Sequence, residues 1–323
     1  MLQQTQVRTV IPYWHRFLAA FPTVRSLAEA PEETVLSLWQ GLGYYSRARQ
    51  LHRGAQQMVS RYSGQVPGDV EALATLPSFG RYTVGAVASI AFGLPAPLVD
   101  GNVARVLTRL FAVDGMPGDA LREKELWRLA ERLVPGERPG DWNQALMELG
   151  AVICKKEAPL CLLCPVQSHC AARLEGRIEE LPPARVRAAR KPLHLTCAVV
   201  IRRGKLLLAK RHGKGLFGGL WELPCVELGP LSLRVAVSSA LSESLGVKLS
   251  ARRALGWVER TLTHRDLRLT LWSASVEKNI TPVVPYEAFT WVTRLETQGL
   301  GISTAMRKAV ELALGGEQNV KNH

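Results

Sequence analysis

The spacing of apolar residues changes once along this chain, and that change constrains the fold more than any other feature. Before about residue 193 the apolar positions keep helical spacing. In "EKELWRLAERLV" they fall at Leu126, Leu129 and Leu133, and in "WNQALMELGAVIC" at Leu146, Leu149 and Ile153. Loops containing Pro22, Pro31, Pro67, Pro77, Pro95, Pro117 and Pro135 punctuate these stretches. The segment "LPPARVRAARKPLHL" at 181–195 has little to bury and reads as a linker. Beyond it "LTCAVVIRR", "KLLLAKR" and "LRLTLWSASV" are strand-like, the last alternating at Leu267, Leu269, Leu271 and Ser273. "LSLRVAVSSALSESLG" and "STAMRKAVELAL" are helical. The expectation is a multidomain chain: an all-α domain over 1–180, a linker over 181–194, an α+β domain over 195–316 and a tail at 317–323.

With 323 residues, each of two such domains can bury a core of its own. No run of about 18 apolar residues suits a membrane span, and the start carries no convincing export signal. An intracellular compartment follows: the cytoplasm and nucleoid of a bacterium, or a nucleus or mitochondrion. Forty-one basic against 28 acidic residues leave a formal charge of +13, which favours a polyanionic partner such as nucleic acid.

Four of the six cysteines lie in "CKKEAPLCLLCPVQSHC". Cys154, Cys161, Cys164 and Cys170 are separated by six, two and five residues. Four thiols so close read as ligands, and both zinc and a [4Fe–4S] cluster take four of them. Zinc fingers usually pair two tight Cys-x-x-Cys units. Only one is present here, so the spacing favours the bulkier cubane. Bound metal would supply folding energy to a loop poor in apolar residues. Lys155, Lys156 and Arg173 add positive charge beside it.

"LATLPSFGRYTVGAVASIAFGLPAPLVDGNVARVL" reads as helix, turn and helix. The turn "PSFG" brings backbone N–H groups to a helix start, where an anion is favoured. Such a hairpin holds a DNA phosphate without reading sequence, or is a plain turn. Asp100 precedes "GNVARVL" as a helix cap, as a catalytic carboxylate at a helix start, or as both. The opening "MLQQTQVRTVIPYWHRFLAAFP" reads from Leu2 to Arg8 as the middle or end of a helix, with no Ser, Thr, Asp or Asn cap.

These segments resemble the MutY family of adenine DNA glycosylases, helix–hairpin–helix enzymes with an iron–sulfur cluster. The resemblance is carried by "MLQQTQV", "LWQGLGYYSRAR", "LPSFGRYTVGA", "VDGNVARVL", "NQALMELGA" and the four cysteines. It implies removal of adenine mispaired with 8-oxoguanine or guanine, from double-stranded DNA, by a monomer. Adenine is flipped from the stack, protonated at N7 and released as positive charge develops on the sugar. Asp100 matches the aspartate that stabilises that cation. Asn102 and Tyr82 match pocket residues that orient it and assist proton transfer. Tyr82 stands where lyase relatives carry a Schiff-base lysine, so the resemblance implies a monofunctional enzyme.

Gln4 and Tyr44 match residues that enter the opposite strand and wedge beside 8-oxoguanine, while Tyr45 reads as core. The family hairpin is Leu-Pro-Gly-Val-Gly. Here Ser78 replaces its first glycine and Gly80 is kept, so Ser78 must adopt a conformation that glycine takes more freely, straining or shifting the phosphate clamp. The family's general acid is a glutamate two residues before the methionine of "MLQQTQ", a position ahead of Met1. The expectation is a start placed at an internal methionine. If Met1 is genuine, the alternative is a non-catalytic protein that binds mispairs.

The second domain resembles the family's Nudix-like module, through "GLFGGLWELPCVELG" and "SALSESLGV". Nudix hydrolases hold Mg²⁺ with several glutamates on one helix, whereas 239–244 here offers only Glu243, so no hydrolase site is expected. The resemblance implies a reader of 8-oxoguanine, with Thr263 and His264 of "LTHRDLRL" as the reading residues. Trp221 and Trp272 read as core.

Overall fold

The computed structural model describes residues 1–2, 5–184, 189–213, 215–229, 232–277 and 284–315. They form two compact units, one of Met1–His52 with Ala188–His323 and one of Arg53–Arg187. The expected tail at 317–323, Gln4 and part of the linker lie outside the described residues.

The first unit begins with α1 (Val7–Ala20), α2 (Val24–Glu29), α3 (Glu32–Trp39) and the start of α4 (Tyr45–Tyr62). The sequence expectation of helix from Leu2 is corrected, since α1 begins only at Val7. Gln6 takes extended backbone angles at its N-cap and makes no side-chain cap bond. Glutamine is a poor cap. Tyr45 is buried, as expected, and its hydroxyl donates to the Ile302 carbonyl at 3.3 Å.

The second unit contains α5 (Val70–Ala74), α6 (Arg81–Phe92), α7 (Gly101–Leu110), α8 (Ala120–Leu133), α9 (Pro139–Glu148) and α10 (Ala171–Leu174). A π-helical turn, Leu149–Ile153, follows α9 directly. The core joins Leu98 before α7 to Val103 and Leu107 on α7, Leu126 and Leu129 on α8 and Leu146 on α9. Those last three are among the positions that helical spacing picked out.

The rest of the first unit is α+β. Its strands are β1 (Lys191–Arg202), β2 (Lys205–Arg211), β3 (Trp221–Glu222), β4 (Cys225–Glu227), β5 (Leu249–Thr261), β6 (Arg265–Val276) and β7 (Tyr286–Val292). Helices α11 (Arg234–Leu245) and α12 (Thr304–Leu314) accompany them. The sheet order is β3-β2-β1-β6-β5, with β4 pairing β1 and β7 pairing β2. β1 and β6 run parallel from Lys191↔Arg265 to Val200↔Ala274. The first residues of β1, read from sequence as linker, are therefore strand. Their partner is supplied from far along the chain.

Alternation along β1 divides two cores. Leu193, Leu195, Cys197 and Val199 pack with Ala309 and Val310 of α12, whereas Ala198 and Val200 pack with Val237 and Leu241 of α11. Trp221 joins the first core and Trp272 packs against the second. The one carboxylate on α11, Glu243, is exposed.

Candidate active site and DNA-reading loops

Asp100 is placed by the loop joining α6 to α7. Gly93 ends α6 in the left-handed conformation at φ 65°. A Cβ on Gly85 would lie 1.9 Å from the Pro97 carbonyl oxygen, so only glycine lets the loop run this close to α6. Buried Asn143 of α9 ties down the loop's middle, donating to the Ala96 carbonyl at 2.9 Å and to Ser89 Oγ at 2.8 Å.

The carboxylate of Asp100 caps α7. Oδ1 accepts from the backbone N–H of Asn102 at 2.9 Å and of Val103 at 2.7 Å. Among the described residues, Oδ2 accepts only a longer bond from Asn102 Nδ2, at 3.3 Å. One oxygen is thus fixed at the helix N-terminus, where the backbone dipoles favour negative charge, and the other is lightly held. A helix cap and a lightly held carboxylate oxygen coexist in one geometry.

Two residues that sequence reasoning passed over hold Asn102 in turn. Arg105 donates to Asn102 Oδ1 at 2.9 Å, to the Gly150 carbonyl at 2.7 Å and to the Cys154 carbonyl at 2.7 Å. Gly150 packs flush against Asn102: a Cβ there would stand 2.7 Å from Asn102 Cβ. The only sequence signal was their inclusion in "VDGNVARVL" and "NQALMELGA". Half-buried Tyr82 completes the group, its hydroxyl donating to Met147 Sδ at 3.6 Å. Burial, then the Asp100 carboxylate, pushes the Tyr82 phenol up from its ordinary value, so it keeps its proton.

The hairpin before α6 is a tight turn closed by the Phe79 N–H on the Leu76 carbonyl at 3.2 Å. Pro77 and Ser78 are its central residues, and Ser78 has φ 70°. A type II turn has this form, with proline first and a residue of positive φ second. Serine here takes the left-handed backbone expected of a glycine. Gly80 stands at the N-cap of α6 without a side-chain cap bond, and a Cβ there would meet nothing within 4 Å. The helix start is therefore unobstructed, as an approaching anion requires.

Cys154, Cys161, Cys164 and Cys170 line a single pocket with Ile153, Pro159, Gln167, Arg173 and Ile178. None of residues 154–170 is buried, so this loop has no apolar core of its own. Buried Arg109 of α7 ties it down. Its guanidinium donates to the carbonyls of Leu181 at 2.7 Å, Lys155 at 2.6 Å and Lys156 at 3.2 Å, and to Cys154 Sγ at 3.5 Å. Burial pushes the Cys170 thiol up, as do the three other thiols, while the Arg173 backbone N–H pulls it down. Four thiols that line one pocket, with a guanidinium on the sulfur of Cys154, are a donor set suited to a thiolate-bound centre.

Tyr44, Thr263 and His264 lie in the first unit. Thr263 and His264 form the exposed two-residue tip between β5 and β6, closed by the Leu262 N–H on the Arg265 carbonyl at 2.8 Å. Tyr44 is exposed, has φ 46°, and hydrogen-bonds through its hydroxyl to Thr263 Oγ1. The Arg47 guanidinium lies over its ring at 5.4 Å. The structure thus joins two of the residues assigned to lesion reading although 219 positions separate them. Gln4 lies outside the described residues.

Comparison with known proteins agrees with this architecture. Residues 1–132 match the HhH-GPD superfamily base excision DNA repair protein model, and residues 196–312 match the NUDIX domain. The chain is 40% identical to the adenine DNA glycosylase of Homo sapiens over 98% of its own length and 67% of that protein's. The chain belongs to the adenine DNA glycosylase family. The rat adenine DNA glycosylase is 37% identical over 95% of this chain and 69% of its own. A thermostable thymine-DNA glycosylase structure overlays with a TM-score of 0.48 at 31% identity, over 54% of this chain and 80% of that one. Membership makes the chain a DNA glycosylase that acts on DNA. No helix among the described residues is long and apolar enough to cross a membrane.

Proposed function

We propose that this chain excises adenine from DNA where it stands opposite 8-oxoguanine or guanine, with Asp100 as the residue that stabilises the developing sugar cation. The observation that carries this reading is the division of labour within Asp100. Helix capping fixes Oδ1, while Oδ2 has one long bond and can face a cation. A pre-oriented carboxylate needs little reorganisation as charge develops, the main source of electrostatic catalysis. Asn102 orients the free oxygen, and the Tyr82 phenol retains a proton that can be shared with the departing base or entering water.

The remaining assignments belong to the same proposal. The Ser78–Gly80 turn holds a phosphate on the free N–H groups at the start of α6. Gln4 enters the duplex, Tyr44 replaces the stacking lost at the flipped base, and Thr263 and His264 read the base opposite. The four cysteines hold a [4Fe–4S] cluster. When bound, it supplies cross-linking of a loop that lacks a core, and with it folding energy. The helical glycosylase domain extends to residue 180 and the lesion-reading module over 195–316.

Single-turnover adenine release from an A·8-oxoguanine duplex tests the reading, comparing this chain with Asp100→Asn. Asparagine keeps the cap but removes the charge, so the melting temperature should hold while the rate falls by roughly 10²–10³-fold. With a parent that releases adenine measurably, a variant rate within about three-fold of it would remove Asp100 from the reaction. A parent that binds the mispair without releasing adenine would favour the non-catalytic reading.

A further inference from the structure

Two cysteines take no part in the pocket of four. Cys197 in β1 and Cys225 in β4 are direct partners in an antiparallel pair, both buried in the core beside α12. The ladder bond next to them runs from the Ala198 N–H to the Pro224 carbonyl, at 2.7 Å. The Cys225 N–H instead donates to the Tyr286 hydroxyl at 2.8 Å. Cys197 and Cys225 therefore occupy a non-hydrogen-bonded site, where the two Cα atoms approach to about 4.5 Å and the side chains lie closest. That spacing is within the roughly 4.4–6.8 Å that a disulfide spans.

The surroundings are polar for so deep a site. The Cys225 thiol donates to Glu222 Oε1 at 3.3 Å, and its sulfur accepts from Arg211 Nη2 at 3.5 Å. Arg211 also pairs with Glu222 at 2.6 Å. The neighbouring Cys197 thiol pulls the Cys225 thiol down, with burial opposing and Arg211 assisting. The Cys225 thiol, with burial, pushes the Cys197 thiol up. Cys225, with the Arg211 guanidinium on its sulfur, is the one suited to attack, and Cys197, whose thiol donates to the Leu195 carbonyl, the one to resolve.

We propose that Cys197 and Cys225 are a redox-active dithiol that closes into a cross-strand disulfide on reaction with a peroxide. The Cys225 thiolate attacks one peroxide oxygen, the O–O bond breaks, and hydroxide leaves to become water. Cys225 is now a sulfenic acid, and its sulfur has given two electrons to the peroxide. The Cys197 sulfur then attacks Cys225, the S–S bond forms, and the S–O bond breaks. The departing hydroxide takes the Cys197 proton as a second water. Entry is through β4, which is three residues long and pairs only with β1 among the described residues. Short edge strands open locally at low cost.

Hydrogen peroxide added to the folded full-length chain, followed by alkylation and peptide mapping, tests this. The expected product is a Cys197–Cys225 linked peptide pair, two hydrogens lighter than its parts and lost on treatment with dithiothreitol. In Cys197→Ser, Cys225 should stop at the sulfenic acid and be captured by dimedone. Two results overturn the proposal: both thiols recovered free under conditions that oxidise the four pocket cysteines, or Cys225 driven to sulfinic acid with no link. The readout is independent of adenine excision.

Discussion

Replacing Gly150 by alanine separates the support of the reactive carboxylate from the stability of the fold. The added Cβ would lie 2.7 Å from Asn102 Cβ, 2.9 Å from the Asn102 carbonyl oxygen and 3.0 Å from its carbon. Carbon atoms in comfortable contact stand about 3.5–4.0 Å apart, so Asn102 or the π-helical turn must move by roughly 1 Å. Overpacking of this kind costs about 1–3 kcal/mol, or roughly 1.5–4.5 °C in melting temperature for a chain of this size. Function should lose more. Asn102 orients Asp100 Oδ2, and a displacement of about 1 Å at a reacting group costs on the order of 10²-fold in rate. The assay pairs thermal denaturation with single-turnover adenine release measured well below the transition. Unchanged excision alongside a lowered melting temperature would show that Asn102 does not position Asp100.

Ser78→Gly should raise the urea midpoint. Relief of the left-handed serine gains about 1–2 kcal/mol, the added freedom of glycine when unfolded offsets about 0.5–1 kcal/mol, and a lowered midpoint would count against the turn. Stability should fall between pH 10 and 12, because burial pushes the Tyr45 phenol up to about 12. Below pH 10 both states hold the proton; above it the unfolded chain ionises first, costing the fold roughly 2–3 kcal/mol by pH 12. Tyr45→Phe should make that fall shallower, leaving the part due to Tyr286, whose phenol burial also pushes up. Arg109→Lys keeps the charge but not the fork that reaches three carbonyls and a sulfur. It should destabilise the chain by about 2–4 kcal/mol and lower the iron content of the purified protein, read by metal analysis.

What could be read in the sequence was local. Leu126, Leu129 and Leu146 declared their helices because a buried face repeats every three or four residues, and the backbone of Ser78 was legible only through the resemblance, which puts a glycine at that place in the turn. The placement of Asp100 before "GNVARVL" likewise showed a helix start. Longer connections left no such trace. Nothing near Arg105 shows that its partners include carbonyls at 150 and 154, and nothing near Arg109 points to Leu181. Lys191–His194 looked like linker because a parallel strand acquires its meaning from a partner more than 70 positions away. The pairing of Cys197 with Cys225 required the sheet register, which spacing does not encode.

The double duty of Asp100 has a consequence for which substitutions are informative. Its side chain begins a helix and, in the proposed function, provides the charge. Exchange for alanine therefore injures two things at once, and a dead variant of that kind cannot be assigned to either. Asparagine removes one function alone. Glutamate does the converse: it restores the charge one carbon too far out and gives up the short reach on which Oδ1 depends. The position is narrow because a backbone and a reaction make their demands on the same two oxygens.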